Sequence, residues 1–141
     1  MKKLVTCGEM KNLDSATIHK IGVASEVLME RAALKVVEET EKYLEKNEKI
    51  LVVCGNGNNG GDGIAIARLF YLKGIRAEFY MVGNKEKMTR ETTLQYKIAT
   101  GYHVPEVNNP DWSEYTTIVD AVFGVGLARP IEGHYAKIIH E

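Results

Sequence analysis

The stretch that most constrains this chain is KILVVCGNGNNGGDG over residues 49–63. Its apolar half is rich in β-branched residues and too short for an independent helix. That pattern predicts a strand buried on both faces, as in a parallel sheet. Nine residues dominated by Gly and Asn follow, and then a helical pattern over 64–73 that Gly74 closes at the C-cap. The same grammar continues with a second strand at 76–82, a helix over 89–100 capped by Gly101, and a third strand at 115–122. Repeated βαβ units with right-handed crossovers place helices on both faces of an open sheet and ligands at the carboxyl ends of its strands.

Two helices are expected before the first strand, over 9–20 and 25–46, parted by Gly22 and with Ser25 as N-cap of the second. Met29, Ala33, Val36, Val37, Thr40 and Leu44 recur at three- and four-residue spacing, which gives the longer helix one apolar side to lay on the sheet. The expected fold is α/β: a three-layer αβα Rossmann-like sandwich with a mostly parallel sheet and N-terminal helices, formed as one domain over 1–141. Residues 131–141 open as a further helix without a stop signal, so the domain is expected to be incomplete at its C-terminal end.

Charge narrows the partners. Eighteen basic against nineteen acidic residues leave a formal charge of -1, which offers no excess for neutralising nucleic-acid or membrane phosphates. No apolar run approaches the roughly 20 residues needed to span a bilayer. Cys7 and Cys54 form no CxxC pair and no leader pattern opens the chain, so a cytoplasmic location is expected. His19, His103, His134 and His140 lack metal-ligand spacing. Cys54 reads as a small core side chain, and Trp112 and Tyr115 as packing residues.

Gly55, Gly57 and Gly60 satisfy GxGxxG between a strand and a helix, the context in which that pattern suggests a dinucleotide site. The ribose-binding acid expected about 20 residues on has one candidate, Glu78, at the wrong end of its strand. A triphosphate P-loop would need a lysine that this loop lacks. Asp62 has two readings, a cap on the following helix or an acid facing a cleft. Asn58 and Asn59 suit a tight turn, and equally supply neutral oxygen ligands for a hard cation. The second cluster spans 120–130: Asp120 near the end of the third strand, Gly124 and Gly126 exposing backbone N–H groups, and Arg129 as a phosphate donor. Two glycine-rich loops after neighbouring strands, each with an acid, favour a shared pocket.

At these residues the chain resembles the NAD(P)H-hydrate epimerase family, also called the YjeF N-terminal domain family. The resemblance rests on GNGNNGGDG at 55–63, DAVFGVGLARPIEG at 120–133, and the opening MKNLDSATIHKIGVASEVLMERAA at 10–33. The family usually reads MENAG where this chain has Met29, Glu30, Arg31, Ala32 and Ala33. The resemblance implies an isomerase that interconverts the R and S forms of hydrated NADH and NADPH (NADHX and NADPHX) and uses potassium. It implies substrate contacts from Asn58, Asn59, Gly60, Gly61 and Asp62, and from Gly124, Val125, Gly126, Leu127, Ala128, Arg129 and Pro130. Asn59 and Asp120 would be potassium ligands. A later VDIPSG-type segment of the family, which holds a further substrate Asp and potassium Ser, is not among these residues. The family also implies a homodimer and a fused or separate ADP- or ATP-dependent dehydratase as partner.

The substrate's C6 carries both a ring nitrogen and a hydroxyl. Loss of that hydroxyl to an iminium and return of water from the other side inverts it, which calls for an acid-base carboxylate. Asp62 is the first candidate in this chain, and the Asp of the family's later VDIPSG-type segment is an equal or better one. The alternative expectation is a non-catalytic nucleotide-binding or protein-interaction module of the same fold. An ordinary NAD-dependent oxidoreductase is disfavoured by the position of Glu78.

Overall fold

The structure is a computed structural model and describes residues 4–124. The apolar run becomes β1 (Lys49–Cys54), the central strand, parallel to both β2 (Arg76–Met81) and β3 (Thr117–Ala121) in the order β2-β1-β3. Val52 stands between Phe79 and Val119 in register. Central placement explains why the run is apolar on both sides. Ile50, Val52 and Cys54 pack under the helices, while Leu51 and Val53 pack into the opposite cluster.

Helix α3 (Asn58–Leu72) lies on the first face, where Ile64 and Phe70 are wholly buried against β1 and β2. Removing a side chain such as Phe70 from so packed a site costs about 3–5 kcal/mol. Beside α3 on that face lie α2 (Ser25–Glu41), through Ala33 and Val37, and α4 (Arg90–Gly101), through Ala99. Among the described residues the second face carries no α-helix. Tyr80, Val82 and Val122 are covered there by Val107, Trp112 and Tyr115.

Several boundaries differ from expectation, each for a local reason. Helix α3 begins at Asn58 rather than at 64, because its glycines are packing residues and not a loose loop. A Cβ on Gly60 would stand 1.8 Å from the Gly55 carbonyl oxygen, and one on Gly63 would stand 2.5 Å from Ala121 Cβ. Close approach of helix to strand outweighs the poor helix propensity of glycine. Helix α2 stops at Glu41 instead of 46, and Asn47 takes a left-handed φ of 65° as the chain turns back into β1. Ser25 is not the N-cap. Ala24 holds that position, and the Ser25 hydroxyl donates to Glu91 at 3.0 Å.

Gly101 does not cap α4; it stays within the helix, and His103 supplies the left-handed turn at φ 60°. The third strand is confined to 117–121. Gly22 and Gly74, with φ of 87° and 81°, terminate helices as expected. The first expected helix forms as α1 (Cys7–Ala16), closed at its start by a Thr6–Glu9 capping box, and runs on as a wider π-turn over Thr17–Ile21. None of the described helices is long and apolar enough to cross a membrane.

Candidate functional site

The site lies at the carboxyl ends of β1 and β3, where the chain leaves each strand. Gly55 N donates to the Ala121 carbonyl at 3.0 Å, and a Cβ on Gly55 would come within 2.2 Å of Val122 O. Only glycine lets the two strand ends run so close. Gly57 is the N-cap of α3 and brings no side-chain cap to the first N–H groups of that helix.

Asn58 opens α3, and the Thr89 hydroxyl donates to its Oδ1 at 2.6 Å. Asn59 is the joint between the two loops. Its Nδ2 donates to Phe123 O at 2.9 Å, and Gly124 lies against it, where a Cβ would be 3.1 Å from Asn59 Cβ. Gly60 and Gly61 are buried; a Cβ on Gly61 would meet Thr92 Oγ1 at 2.8 Å and Met29 Sδ at 3.0 Å. Any ligand contact they make is through backbone.

Asp62 does not cap the helix. It is the fifth residue of α3, more than a full turn past the N-cap, and it lines a cavity of about 190 Å³ together with Asn59, Ala33, Val36, Ile66 and Asp120. Loss of hydration in this largely apolar cavity, with a smaller push from the Asp14 carboxylate of α1, raises Asp62 from 3.8 to about 6. A carboxyl poised near neutrality at a cleft is suited to both giving and taking a proton.

Asp120 is the penultimate residue of β3, opposite Val53, and its Oδ1 accepts from Val122 N at 3.0 Å. It therefore braces the strand's exit, as expected of a strand-end acid, while also lining the cavity with Asn59 and Asp62. The expected contacts of Val125, Gly126, Leu127, Ala128, Arg129 and Pro130 lie outside the described residues, as does the helix expected over 131–141.

Other expectations are placed away from the site. Glu78, third in β2, accepts from Tyr115 Oη at 2.5 Å and sits 3.8 Å from Lys49 Nζ, at the amino end of the sheet. It is out of reach of a ribose at the opposite edge. Cys54 is fully buried and its thiol pKa is pushed up by desolvation, so it behaves as core. In the departed segment Glu30 pairs with the buried Arg68, whose Nη2 also lies 3.4 Å from Gln95 Oε1. Among the described residues no group of three or more His, Cys, Asp or Glu could hold a metal ion. The oxygen donors present are one amide, carboxylates and backbone carbonyls.

Sequence reasoning missed Thr92 and Asp14. Thr89 was legible as the start of α4, since a threonine ahead of a helical pattern is an N-cap signal. Nothing marked its contact with Asn58.

These features define an α/β domain with a parallel sheet, whose glycine-rich βα turn and the loop of the neighbouring strand close on one acid-lined cavity. The family model described as YjeF-related protein N-terminus matches residues 25–141, and the chain belongs to that family. It is 51% identical over 137 residues to the NAD(P)H-hydrate epimerase of Oenococcus oeni, covering 96% of this chain and 65% of that protein. It is 45% identical over 140 residues to the NAD(P)H-hydrate epimerase of Limosilactobacillus reuteri, covering 98% and 66%. Against that of Lentilactobacillus buchneri it is 42% identical over 142 residues, covering 99% and 66%. The chain thus spans slightly less than two thirds of the length of these relatives. Among solved structures, the crystal structure of yeast ynu0, YNL200c, matches with a TM-score of 0.84 at 25% identity, covering 99% of this chain and 64% of that one.

Proposed function

We propose that the protein is an isomerase that interconverts the R and S epimers of hydrated NADH and NADPH. The observation that carries this is Asp62, a carboxyl raised to about 6 inside the cavity where the two glycine-rich loops meet. Relatives that share up to 51% of their aligned residues with this chain bear the name of that activity.

Asn58, Asn59, Gly60, Gly61 and Asp62 would form one side of the substrate site. Gly124 and residues 125–130 would form the other. The uncapped N–H groups of α3 present partial positive charge toward the cofactor's phosphates, in place of a P-loop lysine. Protonated Asp62 would give its proton to the C6 hydroxyl, which leaves as water while the ring nitrogen's lone pair forms an iminium. Water then adds to the opposite face and releases its proton to solvent, from which the Asp62 carboxylate is reprotonated, so no redox partner is consumed.

The donor chemistry at Asn59 and Asp120 fits a potassium ion. Asn59 commits its NH₂ to Phe123 O and keeps its amide oxygen for ligation, and Asp120 adds a carboxylate; both are hard donors. When bound, such an ion would offset phosphate charge beside the loop. The proposal extends to a homodimer, to a fused or separate ADP- or ATP-dependent dehydratase that takes one epimer, and to the cytoplasm.

The test is epimerisation of purified R-NADHX by the full-length protein, followed by chiral chromatography in potassium and in sodium. Potassium-dependent conversion is expected. Binding of the hydrate by calorimetry without conversion would favour a non-catalytic module.

A further inference from the structure

We propose that Thr92 is a positioning residue for the substrate loop, holding Gly57 and through it the first turn of α3 from the neighbouring helix. The inference rests on the epimerase reading only in that this loop is taken to bind the substrate.

Thr92 is the third residue of α4 and is wholly buried. Its hydroxyl donates to Gly57 O at 2.7 Å, across 35 residues of chain. That carbonyl's helical bond, from Gly61 N, is longer at 3.3 Å. The tighter hold on Gly57 is therefore the one from α4, since donor–acceptor distances beyond the usual 2.7–3.2 Å mark weakening bonds.

Thr89 completes the grip. Its N donates to Asn56 O at 3.0 Å, its hydroxyl reaches Asn58 Oδ1 at 2.6 Å, and its Oγ1 caps Thr92 N at 3.3 Å. Three consecutive residues of the loop, Asn56, Gly57 and Asn58, are thus held by two threonines of one helical turn. That turn is itself anchored to α2, by Arg90 on Glu26 at 2.7 Å and by Ser25 on Glu91 at 3.0 Å. Thr92 Oγ1 also occupies the space that a Cβ on Gly61 would need, at 2.8 Å, so the threonine and the glycine are matched to each other.

A loop held in its bound shape before ligand arrives binds more tightly and does not change the chemical step. Loss of the hydroxyl should therefore appear in KM and leave kcat alone. Thr92→Val keeps the volume and removes the donor; Thr92→Ser keeps the donor and removes a methyl.

The experiment measures both variants in the full-length protein, by steady-state epimerisation and by hydrogen exchange at the Gly61 amide. For Thr92→Val, KM for hydrated NADH should rise about tenfold with kcat within about twofold, the size of effect one hydrogen bond carries. Exchange at Gly61 should quicken by a similar factor. Thr92→Ser should restore both to within about twofold of the parent. Unchanged KM and exchange in Thr92→Val would overturn the proposal, as would equal impairment of the two variants, which would assign the effect to packing. If the parent protein turns over neither hydrate, the epimerase reading fails and the exchange result alone decides the role of Thr92. Should Thr92→Val not fold, Thr92→Cys, of similar volume and much weaker donor strength, carries the same comparison.

Discussion

Asn59 donates from Nδ2 to the carbonyl oxygen of Phe123 at 2.9 Å and so ties the first turn of α3 to the loop that leaves β3, 64 positions later in the chain. This bond fixes which end of the amide faces the site. With its nitrogen committed to protein, Asn59 would offer its oxygen to a ligand in the cavity it lines. Asp120 reaches the same cavity from the strand below that loop.

If these two residues hold the cation, each should be needed for the response to it. Asn59→Ala and Asp120→Ala are expected to abolish stimulation by potassium over sodium in the epimerisation assay. Potassium stimulation that survives in both variants would contradict the assignment.

Asp62 links stability to activity with opposite signs. Its pKa rises on folding from 3.8 to about 6, so the native state favours the protonated form. That favourable contribution is present below about pH 4 and is lost as pH rises through about 6. Asp62→Asn should therefore stabilise the fold at pH 7 by about 1–2 kcal/mol, after discounting for partial solvation, and by much less at pH 4. Thermal unfolding at the two pH values measures this. The same variant should lose about 100-fold or more in kcat. In the parent, kcat/KM should fall as pH rises above about 6, where the general acid is spent; a profile flat across that range would remove Asp62 from the role.

The loop's glycines separate into those that packing demands and one that it does not. Gly60→Ala should cost more than about 3 kcal/mol, since its Cβ would fall 1.8 Å from a backbone oxygen. A Cβ on Gly57 meets nothing within 4 Å, and its φ of -79° suits any residue. Gly57→Ser should add an N-cap to α3 and stabilise the fold by roughly a few tenths of a kcal/mol. It should also raise KM by about tenfold by occupying the approach to the helix's N–H groups. A rise in Tm with unchanged KM would show that the ligand does not pass there.

Glu30 belongs to the fold. Its carboxylate answers the guanidinium of Arg68, which is 7% exposed between α2, α3 and α4. Glu30→Ala should destabilise by about 2 kcal/mol because it leaves a buried charge unpaired, and adding Arg68→Leu should recover most of that loss. Chemical denaturation of the two variants checks both.

The parts of this fold that were legible in sequence are those where one physical signal dominates. KILVVC could only be a strand buried on both faces, and β1 occupies those six residues. Gly22 and Gly74 mark helix ends because each adopts positive φ. The start of α3 was hidden for the opposite reason: Gly60, Gly61 and Gly63 argue against a helix on propensity, and only contact with Gly55, Met29 and Ala121 explains them. The start of α3 also decides between the two readings of Asp62, since an acid at a helix start is a cap and an acid one turn further in can face a cavity. Thr92 reaches the site through the packing of α4, and Asp14 acts on Asp62 through its charge, relations that no local pattern encodes.

The most direct test of the account follows the oxygen at C6. R-NADHX is incubated with the full-length protein in oxygen-18-labelled water, and the S epimer is isolated and weighed by mass spectrometry. Inversion by loss of the hydroxyl and return of water predicts that the S epimer appears and carries one labelled oxygen at C6. Failure of the S epimer to form, or its formation with the original oxygen retained, would contradict it.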